Sequence, residues 1–120
     1  YVARLVGLNL LTGHATGHLA DLGSGATVVL PHAMTGPVHA VFAPTAVTLS
    51  PHRPDGSARN AWQGRIADIE RHGDLVRVTV DGTVPILADI TPLAVSELNL
   101  APGSTVWSTV KASEVSAYPA

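Results

Sequence analysis

At 120 residues, with 46% hydrophobic and only 13% charged content, the chain has the composition of a folded, well-buried protein rather than a disordered segment. A formal net charge of −2 gives no basic footprint for nucleic acid, and the absence of cysteine removes disulfides and thiolate metal sites. No apolar run reaches the roughly eighteen residues that a membrane-spanning helix needs, so no direct membrane insertion is expected. Eleven glycines and nine prolines punctuate short β-rich runs, the pattern of an all-β protein. Strands are predicted over residues 8–19, 26–30, 38–42 and, after a turn at Ala43-Pro44, 47–50. Residues 50–56 form a polar, proline-bearing linker and the best internal boundary.

Beyond the linker, strands are predicted over 60–70, 75–80, 84–90 and 105–110. Val76, Val78 and Val80 alternate with Arg77, Thr79 and Asp81, which buries one face of that strand. Asp81-Gly82 carries the signal of a hairpin turn. One helix is expected, with Thr91 as N-cap, Pro92 at its first position and an end before Ala101-Pro102-Gly103. Five or so short strands with one intervening helix predict an all-β, OB-like barrel. The two halves share a plan only in outline, each beginning with an asparagine-bearing strand and ending with a proline-bounded one.

Two clusters carry chemistry. Ser57-Ala58-Arg59-Asn60 and Lys111-Ala112-Ser113 each set a cation beside a hydroxyl and small residues, and Lys111 is the only lysine in the chain. A small tetrahedral dianion needs fixed positive charge, hydroxyl donors and accessible backbone amides, and needs no metal or cofactor. Taken singly, each cluster is better read as an ordinary solvated cation, an arginine in a turn or a lysine at a strand end. Along 105–111, Trp107, Thr109 and Lys111 share one face, and a tryptophan beside the sole lysine points to a subunit interface there.

The run from Ser57 to Ile66 resembles the opening of a TOBE (Mop-type) domain. So does Ile90-Thr91-Pro92-Leu93-Ala94-Val95-Ser96-Glu97-Leu98-Asn99-Leu100-Ala101-Pro102-Gly103, followed by Val106 and Val110-Lys111-Ala112-Ser113. The resemblance covers residues 57–119. It is joined in the first half by Tyr1-Val2-Ala3, Val6-Gly7 and Asn9-Leu10-Leu11, which are similar to the segment that follows an ABC ATPase domain in importer subunits. The resemblance implies a β-rich segment over 1–56, linking to an ATPase domain in cis, and a TOBE/Mop oxyanion-binding domain over 57–120. It implies a homodimer that holds molybdate or tungstate between subunits, with the first cluster from one chain and the second from its neighbour. Arg59 and Lys111 then supply charge, Ser57 and Ser113 hydroxyls, and Ala58, Asn60 and Ala112 mainly backbone amides. Thr91, at the helix start, is a further donor. No cofactor is expected, and ATP belongs only to the attached domain. The implied setting is cytoplasmic, on the inner face of the membrane through the transporter's membrane subunits.

Two departures from the family pattern stand out: Ala94, where related modules often carry serine, and Ala43-Pro44-Thr45, where importer subunits often carry Arg-Pro-Glu. The six histidines are scattered and give no metal-ligand spacing. No nucleophile elbow, zinc-protease motif or phosphate-binding loop is present, so the chain itself is not expected to be an enzyme. Two other readings fit the residues less fully. One is a dimerisation module of a sugar, polyamine or iron importer ATPase without an anion site. The other is a free-standing molybdate-binding protein, which would not need the first segment. An OB-type nucleic-acid binder is disfavoured because five aromatic residues and a negative net charge make no basic stacking groove.

Overall fold

Alternation in the valine-rich strand is borne out directly. In the computed structural model, which describes residues 7–55 and 59–120 (for Arg59, the backbone), Val76, Val78 and Val80 are 8%, 0% and 2% exposed. The elements run β1 (Asn9–Gly23), β2 (Ala26–Phe42), a 3-10 turn (Pro44–Ala46), β3 (Thr48–Ser50), β4 (Arg59–His72), β5 (Leu75–Asp81), β6 (Ile86–Ile90), helix α1 (Pro92–Glu97), β7 (Thr105–Lys111), a second 3-10 turn (Ala112–Glu114) and β8 (Ser116–Pro119). They form two antiparallel sheets, ordered β1-β2-β8 and β3-β7-β4-β5-β6. Strand β6 packs against the first 3-10 turn and against β3, which curls the five-stranded sheet back towards its own edge. The all-β class with one short helix and an OB-like architecture therefore stands.

Three local expectations change. The separate strands expected over 26–30 and 38–42 are one strand, β2. Residues 30–33 lie opposite His18 alone, so Pro31 falls in a bulge where no ladder N–H is required. The helix ends at Glu97, short of Leu100, because Asn99 adopts a left-handed conformation (φ 57°). The Leu100 N–H then donates to the Val95 carbonyl at 3.0 Å, the bond that closes a Schellman cap. Strand β8 was not expected at all.

The linker separates the two halves along the chain, but strand pairing crosses it in both directions. β3 from the first half joins β7 with Thr48 opposite Thr109, while β8 from the second half joins β2 with Ser116 opposite Val41. The exchange follows one repeated plan. β1 begins with Asn9 opposite Phe42 and has Gly13 opposite Val38; β4 has Asn60 opposite Val110 and Gly64 opposite Val106. A side chain at Gly13 or Gly64 would place its Cβ 2.6 Å from a backbone carbonyl, that of Asp21 or Asp81 respectively. Both glycines are therefore dictated by close approach of backbone rather than by turn geometry.

One core spans both sheets. Leu30, Val28 and Val38 from the first half and Val78, Val80, Val106 and Val110 from the second are almost completely buried in a single cluster. Phe42 and Trp62 stack across the halves with ring centroids 6.1 Å apart, and the Trp62 indole N–H donates to the Thr27 carbonyl at 2.9 Å. Arg77 and Asp89 pair between β5 and β6 through two hydrogen bonds of 2.8 Å. That hydrogen bond is the main reason the Arg77 pKa lies above its already high ordinary value. A raised cation pKa gives stabilisation that is complete at every pH below that of the free side chain, so Arg77 introduces no acid- or neutral-range pH dependence.

Gly64→Ala is expected to destabilise the fold by about 1–3 kcal/mol, since the new methyl meets the Asp81 carbonyl and Val80 on a packed sheet. Urea denaturation with an unchanged slope checks this; an unaltered midpoint would show that the approach of β4 to β5 is not tight.

Candidate functional site

The sole lysine sits at the end of β7, exposed, at the entry to the second 3-10 turn. Its cross-strand partner is Arg59, the first residue of β4, and Asn60 pairs with Val110 next to it. One antiparallel pair thus places both expected cations at a single register position. Ala112 and Ser113 follow within the turn, Ser113 exposed and Ala112 half-buried. Ser57 and Ala58 lie outside the described residues.

Thr91 has a structural task of its own, which uses its hydroxyl oxygen as an acceptor and leaves its O–H free to donate. It caps α1, its hydroxyl oxygen accepting the Ala94 N–H at 3.1 Å. It is not among the residues lining the cleft around Lys111. Ala94 therefore serves the cap through its backbone, a role that its side chain does not affect.

Asn60 does more than offer a backbone amide. It is 4% exposed, and its side-chain amide grips the backbone of β2: Oδ1 accepts the Val29 N–H at 2.6 Å, and Nδ2 donates to the Val29 carbonyl at 3.2 Å. Asn9 does the same from the other half. Its amide bonds both the N–H and the carbonyl of Leu87 in β6, each at 2.8 Å. Each asparagine satisfies edge backbone groups that would otherwise be left unpaired.

The face expected to be a subunit interface is partly covered by the chain itself. Thr109 is 2% exposed, and its hydroxyl points to the Thr48 carbonyl at 3.3 Å. The guanidinium of Arg53 lies 5.2 Å from the centre of the Trp107 ring, a cation–π contact. The physical reason is the exchange of β3, which runs alongside β7 and delivers the linker over Trp107.

Around Lys111 the two halves enclose a cleft of about 450 Å³. Besides Lys111, Ala43, Thr45, Thr48, Thr109 and Glu114 face it; none of these five is an expected ligand residue, although Ala43 and Thr45 belong to a departure from the family pattern. The available signal was weak: 42–47 and 110–115 share a spacing that ends in valine, but few identities. Among the described residues no group of three or more His, Asp or Glu side chains is arranged to hold a metal ion. No helix among them is long and apolar enough to cross a membrane.

The sequence pattern of the TOBE domain matches residues 56–117. The chain is 37% identical over 131 aligned residues to the molybdenum import ATP-binding protein ModC of Mycobacterium tuberculosis, a match covering 98% of this chain and 34% of that protein. It is 32% identical over 120 residues to the molybdate/tungstate import ATP-binding protein WtpC of Pyrococcus horikoshii, with the same two coverages, 98% and 34%. The chain thus spans about a third of the length of the curated relatives it matches. Among solved structures, the cytoplasmic molybdate-binding protein ModG, crystallised with molybdate bound, superposes with a TM-score of 0.80 at 26% identity. That match covers 93% of this chain and 96% of ModG, so the likeness includes both halves, and the first segment is no argument against a free-standing molybdate-binding protein.

Because its amide is committed to Val29, Asn60→Ala is expected to cost about 1–3 kcal/mol of stability. Thermal or urea unfolding measures it. Full stability in Asn60→Ala would mean that the clamp contributes nothing and that Asn60 is free to serve another role.

Proposed function

The chain belongs to the TOBE domain family, and on that premise we propose that it is an oxyanion-binding regulatory domain of an importer ATP-binding subunit, with molybdate or tungstate as ligand. The observation that carries this reading is the backbone register of Arg59 with Lys111, which brings a residue of each cluster to one end of the β4–β7 pair, where Lys111 lines an open cleft. Likeness to importer subunits named for molybdenum, molybdate and tungstate, and to ModG with molybdate bound, supports the ligand class. ATP hydrolysis then belongs to an ATPase domain in cis, and the transporter's membrane subunits are partners of the whole protein.

In this reading the anion lies between two chains, with Arg59 and Ser57 supplied by one, Lys111 and Ser113 by its neighbour, and backbone amides as further donors. Ligands of this kind are fully ionised and spread charge over four oxygens, so donors on several sides suit them. An exposed Lys111 at an open cleft leaves room for donors from a second chain, as a homodimer would supply. Regulation requires only that one arrangement of the paired subunits binds the anion more tightly than the other. A coupling of about 1–3 kcal/mol then shifts transport severalfold to a hundredfold.

Calorimetry is expected to find molybdate and tungstate binding more tightly than the smaller sulfate, and sedimentation to find a dimer at micromolar concentration. Lys111→Ala is expected to weaken molybdate about ten- to a hundredfold with circular dichroism unchanged. Unchanged affinity in that variant would leave a structural dimerisation module without an anion site as the better reading.

A further inference from the structure

The two 3-10 turns are copies of one device. Ala43 enters the first with φ −70° and ψ 144°, and Lys111 enters the second with −68° and 142°. Val47 leaves the first at −86° and 131°, Val115 the second at −92° and 132°. The strand after each turn crosses to the other half in the same register, Thr48 to Thr109 and Ser116 to Val41. The copies differ in charge. Where the second turn has Lys111 and Glu114, the first has Ala43 and Ala46. Yet both turns face the same cleft, so the neutral copy is not a separate site.

We propose that the neutral turn and β3 complete the oxyanion site of Lys111 from the other half of the same chain, with Thr45 and Thr48 presenting their hydroxyls to the dianion that Lys111 holds. The inference deepens the functional reading above and rests on it. Glu114, three residues past Lys111 in a 3-10 turn, lines the cleft beside the lysine and reduces its net positive potential. A dianion there gains from donors that add no negative charge of their own, and hydroxyls are such donors. Thr45 and Thr48 are exposed on the cleft, whereas the Thr109 hydroxyl is already directed at the Thr48 carbonyl. One cleft shared by two turns also sets the stoichiometry at one anion per chain.

The test is molybdate calorimetry on the whole chain and three variants: Thr45→Val combined with Thr48→Val, Ala43→Lys, and Lys111→Ala. Valine matches threonine in shape at these exposed positions, and Ala43 already has the backbone angles that Lys111 adopts, so unaltered melting curves are expected. The double valine variant is expected to bind about tenfold more weakly, as loss of hydrogen bonds to a charged ligand implies. Ala43→Lys is expected to bind more tightly, still with one anion per chain. If the valine variant keeps wild-type affinity while Lys111→Ala loses it, the proposal is overturned and the functional reading survives. A second equivalent of molybdate in Ala43→Lys overturns it as well. Wild-type chain that binds no molybdate, or Lys111→Ala that binds normally, removes the functional reading and this inference together.

Discussion

Two buried asparagines lock the halves of this molecule together, and the rest of the structure is arranged around that lock. A carboxamide presents one acceptor and one donor in a plane, the complement of a peptide group at a strand edge. Asn9 uses it on Leu87 and Asn60 on Val29, so the first paired residue of β1 and the second of β4 are pinned to the opposite half. Apolar burial alone would hold the halves together without fixing their register. A misaligned clamp leaves polar groups unpaired in a region of low accessibility, which makes slippage costly. Arg59 precedes Asn60 directly, so the clamp also sets where that cation's backbone lies against Lys111.

Charge is distributed with similar restraint. The paired Arg77 and Asp89 neutralise one another between β5 and β6, away from the cleft, and strengthen a sheet rather than a site. Arg53 is spent on the Trp107 ring. Lys111, by contrast, is exposed and lies beside hydroxyls contributed by both halves. The positive charge that a ligand would meet is thus local to one strand end, consistent with a chain whose net charge is −2.

Much of the fold was legible because local rules and tertiary packing agree. Period-two alternation located β5, and the Thr91-Pro92 pair located the start of α1. Elsewhere a distant partner decided the outcome. Pro31 reads as a strand breaker, yet a bulge opposite His18 absorbs it. The short Ser116–Pro119 segment, ending in proline, is too brief to carry a strand pattern of its own and becomes β8 because β2 offers an edge. The cations of the candidate site were visible as residues, but the register that pairs them is a property of β4 against β7. Thr45 stood out only as part of a departure from the family pattern and Thr48 not at all, since the turn and exchanged strand that bring them to the cleft of Lys111 are features of the tertiary fold. Asn60 was seen for its place in a motif, whereas its buried amide acts on a strand thirty-one positions earlier.

The exchange of β3 and β8 also bears on how the protein emerges during synthesis. Val41 is made long before Ser116, the residue that closes its open edge, and β3 must likewise wait for β7. Until those partners appear, the first hairpin presents apolar surface and unpaired backbone of the kind that recruits other nascent chains. Its early strands carry Gly17, Gly36 and the bulge at Pro31, which break the straight edge that such recruitment needs. The irregularities that hide β2 from a simple strand pattern thus give an incomplete chain some protection against association with its neighbours.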